Sequence, residues 1–157
     1  MSGIAIVVDD LSGPEVAALL AEHLEEMRAV TPVESKHALD LDGLRRPDVT
    51  FWTAWDDSND TVLLGCGALR ELDPTHGEIK SMRTTTAYQG IGVGSALVRH
   101  IIAEARRRGY RRLSLETGSS EHFAPARRLY ARHGFVPCPP FGDYPEDHHS
   151  AHLTLVL

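Results

Sequence analysis

Three glycines at alternate positions in Gln89-Gly90-Ile91-Gly92-Val93-Gly94 stand between a strand-like segment and a helix-like one. A turn of this kind makes an anion site, because unpaired backbone N–H groups converge at the helix start and the helix dipole adds positive potential. Glycine lets the anion approach the backbone closely. A phosphate loop of the NTPase type needs Gly-Lys-Ser/Thr at its end, whereas Gly94 is followed by Ser95 and Ala96. A dinucleotide fingerprint is the stronger rival, since Glu116 closes the next strand at a distance suited to a ribose. It fits poorly: the third glycine falls on Ser95, the preceding strand is polar, and too little chain follows for a doubly wound sheet.

Other residues of reactive type are less organised. Cys66 and Cys138 are isolated, so each reads as a small hydrophobe and no disulfide is expected. Nine histidines invite a metal site, with His148-His149 beside Asp147. Adjacent residues on an extended chain point apart and no third ligand has suitable spacing, so no metal is expected.

The elements that must position the turn follow from periodicity. Residues 4–8 read as a strand. Ser12 and Glu15 form a capping box with Pro14 in the first turn, opening a helix whose stripe is Val16, Leu19, Leu20, His23, Leu24 and Met27. A shorter helix is expected over 31–41. Residues 50–55, 62–70 and 78–84, separated by polar turns at 56–60 and 73–77, predict three antiparallel strands. After the glycine turn, Ala96, Leu97, Val98, Ile101, Ile102 and Ala105 form the inner face of a helix ended by Gly109. A strand at 113–117 makes that helix a βαβ crossover between parallel partners. A helix at 124–133 and strands at 135–138 and 152–157 complete the chain.

The 157 residues, 42% hydrophobic and 24% charged, are of single-domain size, so one domain spanning 1–157 is expected. The net charge of −6 argues against a nucleic-acid partner. Its distribution is uneven: residues 80–135 hold 11 of the 16 basic side chains and three acids, while the remainder is strongly acidic. A basic half suits an anionic cofactor, and an acidic half could attract a cationic substrate. The short apolar run at 4–8 lacks a basic leader and cannot span a membrane, so a cytoplasmic protein without a membrane partner is expected.

The segment Gln89-x-x-Gly92-x-Gly94 resembles the Gln/Arg-x-x-Gly-x-Gly/Ala signature of the GNAT superfamily of N-acetyltransferases. Further on, Ala126-Arg-Arg-Leu129-Tyr130-Ala-Arg-His-Gly134-Phe135 resembles that family's A-x-x-L-Y-x-x-x-G-F helix and turn. The element order resembles the family over residues 4–157, and Glu116-Thr-Gly118 with Pro139-Pro-Phe141-Gly-Asp-Tyr144 is similar to a subgroup of small acetyltransferases with undefined substrates. The resemblance implies an α/β (α+β) fold: a mixed, mostly antiparallel sheet of about seven strands, about four flanking helices, and one parallel pair splayed at the cofactor site. It also implies acetyl-CoA as cosubstrate and direct acetyl transfer to an amine of a small molecule or peptide.

Residue by residue, it puts the CoA pyrophosphate on the backbone of Gln89, Gly90, Ile91, Gly92, Val93, Gly94 and Ser95. The backbone of Met82, Arg83 and Thr84 would pair with pantetheine, and one N–H from Met82 or Arg83 would polarise the thioester carbonyl. Thr117 lies near the same opening. Glu78 matches a position where many members carry a catalytic base, its plainer alternative being a solvent-facing strand carboxylate. Tyr130 matches the tyrosine that protonates the leaving thiolate, its alternative being a core aromatic. Phe123 departs from the pattern, replacing an asparagine that touches pantetheine. Arg83, Arg127, Arg128 and Arg132 are candidates for the CoA phosphates. Acceptor contacts fall on Glu116, Phe141, Tyr144 and His148, with Ser35, His37 and Asp40 as rivals. A homodimer is left open, as many members pair, and the rival to an enzyme is a CoA-binding sensor without turnover.

Overall fold

The computed structural model describes residues 3–31 and 39–157. Seven strands form one sheet in the order β1-β2-β3-β4-β5-β7-β6. These are β1 (Ile4–Val8), β2 (Val49–Asp56), β3 (Asn59–Asp73), β4 (His76–Thr84), β5 (Arg112–Gly118), β6 (Val136–Pro137) and β7 (Ser150–Val156). Every pairing is antiparallel except β4 with β5. The α-helices are α1 (Pro14–Val30), α2 (Leu41–Leu44), α3 (Val93–Arg107) and α4 (Ala124–Arg132). The layout has the mixed sheet, the four helices and the single parallel pair expected from the sequence.

Two helical layers sandwich the sheet. Val98, Ile101 and Ala105 of α3 and Tyr130 of α4 pack with Leu69, Ile79, Leu113, Leu115 and Leu153 from one face of the sheet. Val16, Leu19 and Leu20 of α1 and Leu44 of α2 pack with Phe51, Cys66 and Ala68 from the other. Burying apolar area on both faces drives the assembly, at roughly 25 cal/mol per Å² removed from water.

Local details differ from the sequence expectation. Ser12 does not cap α1. Its N–H and hydroxyl both donate to the Asp10 carboxylate, at 3.0 and 2.6 Å, and Gly13 takes the cap position without a side-chain bond. The local Asx-type turn at Asp10 outcompetes the capping box for the same hydroxyl. The turn between β2 and β3 tightens to Asp57 and Ser58. Of the shorter helix expected over 31–41, residues 32–38 lie outside the described residues. Leu41–Leu44 forms one helical turn, capped by Asp40 accepting from Gly43 N–H at 2.9 Å.

The site depends on how β4 and β5 part. They pair from His76↔Arg112 to Ile79↔Leu115 and no further. At that point β4 bulges. Between the partners Ala68↔Lys80 and Cys66↔Arg83, β3 advances past one residue and β4 past two, and Ser81 takes φ 55°. An extra residue bends a strand and breaks its ladder. Past it β4 stays with β3, while β5 stays with β7 as far as Gly118↔Ser150.

Candidate active site

The opening between the parted strands is part of a cavity of about 770 Å³. Lys80, Ser81, Met82, Arg83 and Thr84 line one wall, and Glu116, Thr117 and Gly118 the other. The cavity meets the glycine turn and α4 from one helical layer and His23, Glu26 and Met27 of α1 from the other. It therefore passes through the sheet.

At the turn, Gly92 is the N-cap of α3 in the left-handed region, φ 95°, and Gly90 has φ 83°. A side chain is strained in that conformation, so these positions hold the turn shape itself. Gly94 has another reason: a Cβ there would lie 3.1 Å from Leu129 Cδ2, so its absence lets α3 and α4 approach. The first intrahelical bond runs from Ala96 N–H to Gly92 C=O, leaving the N–H groups of Val93, Gly94 and Ser95 outside the ladder. Ser95 Oγ is tied to His133 Nε2 at 2.8 Å, which fixes the helix start to the end of α4.

Most residues assigned to the cofactor converge here. Gln89, Gly90, Gly92, Val93, Gly94 and Ser95 border the cavity with Met82, Arg83, Thr84, Thr117, Phe123 and Tyr130; Ile91 does not, and is about half exposed. Two arginines are reassigned. The Arg83 guanidinium donates to Glu22 at 2.6 Å and to Glu26, so its side chain braces β4 on α1 instead of meeting a phosphate. Arg127 donates to the carbonyls of Gly118 and Ser120, at 2.7 and 2.8 Å, clamping the end of β5. Arg128 and Arg132 border the cavity. Phe123 sits hard against Gly118, where a Cβ would fall 2.0 Å from its ring, so the aromatic at this position is matched by a glycine.

Tyr130 is buried, 6% exposed, packs edge-on against Phe135 and still borders the cavity. The core-aromatic alternative for it therefore holds, and the same side chain stays at the edge of the cavity. Burial raises its phenol above the ordinary value of 10. Cys66 is fully buried and burial pushes its thiol up to about 12, which removes it as a nucleophile.

Glu78 is not a solvent-facing carboxylate. It is 1% exposed and does not border the cavity. Its Oε2 accepts a 2.5 Å hydrogen bond from the Tyr144 hydroxyl and pairs with Lys80 Nζ at 3.5 Å. Lys80 Nζ also donates to Tyr144 Oη at 2.8 Å. Tyr144 comes from the 138–149 connection and packs edge-on against Phe141 and His152, which orients its hydroxyl. Burial first, and Glu78 second, hold the Tyr144 phenol far above its usual range, so it remains a donor.

Of the acceptor candidates, Glu116 borders the cavity, Tyr144 and Phe141 lie behind Lys80, and His37 lies outside the described residues. His148 is exposed and stacks on His149, with ring centroids 3.9 Å apart. The pair sits in a turn, not on extended chain, so adjacent rings face each other and the geometric ground for setting the pair aside is corrected. With Asp147 they gather ligand-type atoms within 4.8 Å, all from three consecutive residues. His149 borders the cavity in place of His148.

Lys80, His23 and His149 also border the cavity, a place the sequence did not suggest for them. Lys80 carried a signal: it stands two residues from Glu78 on an alternating strand and so shares its face. His23 lies in the apolar stripe of α1, is 9% exposed, and has a buried Nδ1 without a hydrogen-bond partner among the described residues. Burial lowers its pKa to about 4, leaving it neutral at pH 7.

Residues 16–135 match the family model described as "Acetyltransferase (GNAT) family". The chain is 53% identical to the uncharacterised N-acetyltransferase YsnE of Bacillus subtilis, covering 97% of this chain and 99% of that one. It is 49% identical to the uncharacterised N-acetyltransferase YedL of Escherichia coli, covering 97% and 94%. Among solved structures, a Bacillus subtilis acetyltransferase in complex with CoA superposes with a TM-score of 0.69 at 20% identity, over 99% of each chain, a likeness of fold. Among the described residues no helix is long and apolar enough to cross a membrane.

Proposed function

The chain belongs to the GNAT family of acetyltransferases, and from that premise we propose that it transfers an acetyl group from acetyl-CoA directly to a primary amine of a small molecule or peptide. The observation that carries this reading is the cavity that passes through the sheet between β4 and β5. A cosubstrate on the α3 side and an acceptor on the α1 side would meet within it.

In this reading the pyrophosphate rests on the free N–H groups of the glycine turn, with Arg128 and Arg132 beside it. Pantetheine runs along the backbone of Met82, Arg83 and Thr84, between the parted strands and against Phe123. A backbone N–H at Met82 or Arg83 stabilises the tetrahedral oxyanion. Glu78 is the base that takes up the proton released by the acceptor amine. Tyr130 faces the departing sulfur. A thiolate whose thiol has a pKa near 8.5 is too weak a base to deprotonate a phenol raised above 10, so Tyr130 acts by donating a hydrogen bond to the thiolate. The sealed Cys66 favours direct transfer over an acetyl-cysteine intermediate.

A thiol-release assay over a panel of amines tests the proposal. CoA should form only with an acceptor present, and Glu78→Gln should lower kcat by about 10² to 10³ with CoA affinity intact by calorimetry. Tight CoA binding without turnover on any amine would favour a sensor instead.

A further inference from the structure

Glu78 has no contact with the cavity in which an acceptor would sit, although it lies on the strand that lines it. Among the described residues, the hydrogen bonds that reach its carboxylate come from Tyr144 and Lys80. Of those two, Lys80 borders the cavity and Tyr144 does not. An ammonium has three N–H donors. Two of those on Lys80 are directed at Tyr144 Oη and Glu78 Oε2, which leaves one for the cavity. A proton leaving the cavity for Glu78 meets Lys80 first.

On the reading of Glu78 as the base, we infer that Lys80 is the residue that receives the acceptor's proton, and that Tyr144 and Glu78 behind it form the relay that empties Lys80 beforehand. The Lys80 ammonium gives a proton to Tyr144 Oη as the Tyr144 hydroxyl proton passes to Glu78 Oε2. Lys80 is left as a neutral amine, Tyr144 is again a phenol, and Glu78 is a carboxylic acid. The acceptor nitrogen then loses a proton to Lys80 Nζ as it attacks the thioester carbonyl. The net result is one proton moved from the acceptor to Glu78 and one negative charge moved from Glu78 to the departing CoA sulfur, with Lys80 and Tyr144 ending as they began.

Burial favours the exchange. The side chains of Lys80 and Glu78 are 8% and 1% exposed, and a low-dielectric site narrows the gap between an ion pair and its neutral form. The other charged or titratable groups on this face are Arg70 opposite Glu78 on β3, His76 on β4, Arg112 and Glu116 on β5, and His152 on β7. Lys80 alone among the basic ones borders the cavity.

Lys80→Arg separates this role from a fixed positive charge. Arginine keeps the charge and donates hydrogen bonds but does not deprotonate in proteins, so it cannot carry a proton through the relay. With an amine that the wild type acetylates, Lys80→Arg should lower kcat about 10²-fold, as far as Glu78→Gln, with CoA affinity and thermal midpoint retained. Tyr144→Phe removes only the middle hydroxyl and should lower kcat about tenfold, since the direct 3.5 Å path from Lys80 to Glu78 survives. If Glu78→Gln is impaired while Lys80→Arg keeps half of the wild-type kcat or more, the relay is overturned and the base stands. A fully active Glu78→Gln overturns the base and the relay with it. Should Lys80→Arg fail to fold, an unimpaired Tyr144→Phe overturns the relay by itself.

Discussion

The two faces of the half-sheet formed by β4, β5 and β7 come from the same strands and do opposite things. On one face Ile79, Leu113, Leu115 and Leu153 join the core beneath α3 and α4. On the other, Glu78, Ser114, His152 and Thr154 are equally sealed, between 0% and 7% exposed, yet all are polar. On β2 and β3 the corresponding face is mainly apolar and packs against α1 and α2. The polar half is tolerated through partial mutual satisfaction: Ser114 Oγ lies 2.6 Å from His76 Nε2 and 2.8 Å from Thr154 Oγ1, and Glu78 Oε2 is held by Tyr144 and Lys80, while among the described residues Glu78 Oε1 has no hydrogen-bond partner. Burial on the first face contributes stability, whereas burial on the second holds reactive groups in place at little net gain.

The largest effect expected of this contrast is on the apolar side. Leu115, 1% exposed, sits mid-strand in the core, and Leu115→Ala should cost about 3 to 4 kcal/mol by urea unfolding, through lost burial and the cavity left behind. Its neighbours Ser114 and Glu116 face the other way and should show no such dependence on side-chain volume.

A pH series probes a buried polar group on the α1 side whose Nδ1 has no hydrogen-bond partner among the described residues. His23 is neutral when folded, with a pKa of about 4 against 6.5 for the free side chain. The unfolded chain therefore binds this proton more readily, and stability is lost as pH falls from 6.5 towards 4. The whole window is worth at most roughly 3 kcal/mol. Unfolding free energies at pH 7, 5.5 and 4.5 should fall in that order for the wild type. For His23→Gln, which has no proton to bind, the slope over this window should be shallower; an unchanged slope would mean that other groups carry it.

The contrast was half legible in the sequence. Leu113-Ser-Leu-Glu alternates plainly, and the glycine turn, the Leu129-Tyr130 helix and the parallel pair all follow from local pattern. What alternation does not tell is what covers the polar side. Tyr144 reaches Glu78 across 66 positions, and Arg83 reaches Glu22 across 61, because the chain returns over the sheet on both occasions. Local periodicity has no term for such contacts, so Glu78 reads equally well as a surface carboxylate. The bulge at Ser81 was equally hidden, since serine is not a residue type that marks a positive φ in a strand. Ser12 shows the opposite error: a local signal for a helix cap lost to an even more local one at Asp10.

The smallest predicted effect is the one that weighs the two faces most directly. Ser114 is 0% exposed, deeper than Leu115, so a rule based on burial alone would rank its removal as at least as costly. Ser114→Ala deletes one oxygen and almost no apolar area. Thr154 keeps a 3.3 Å contact with the Arg112 guanidinium, and His76 is only partly buried, so water can replace the lost partner. The expected cost is about 1 to 2 kcal/mol, below that of Leu115→Ala in the same denaturant series. A loss equal to that of Leu115→Ala would mean that the polar face also carries the fold. A loss within the expected range would leave hydrophobic burial as the stabiliser of this half-sheet, and the polar side free to be shaped by the chemistry of the cavity it adjoins.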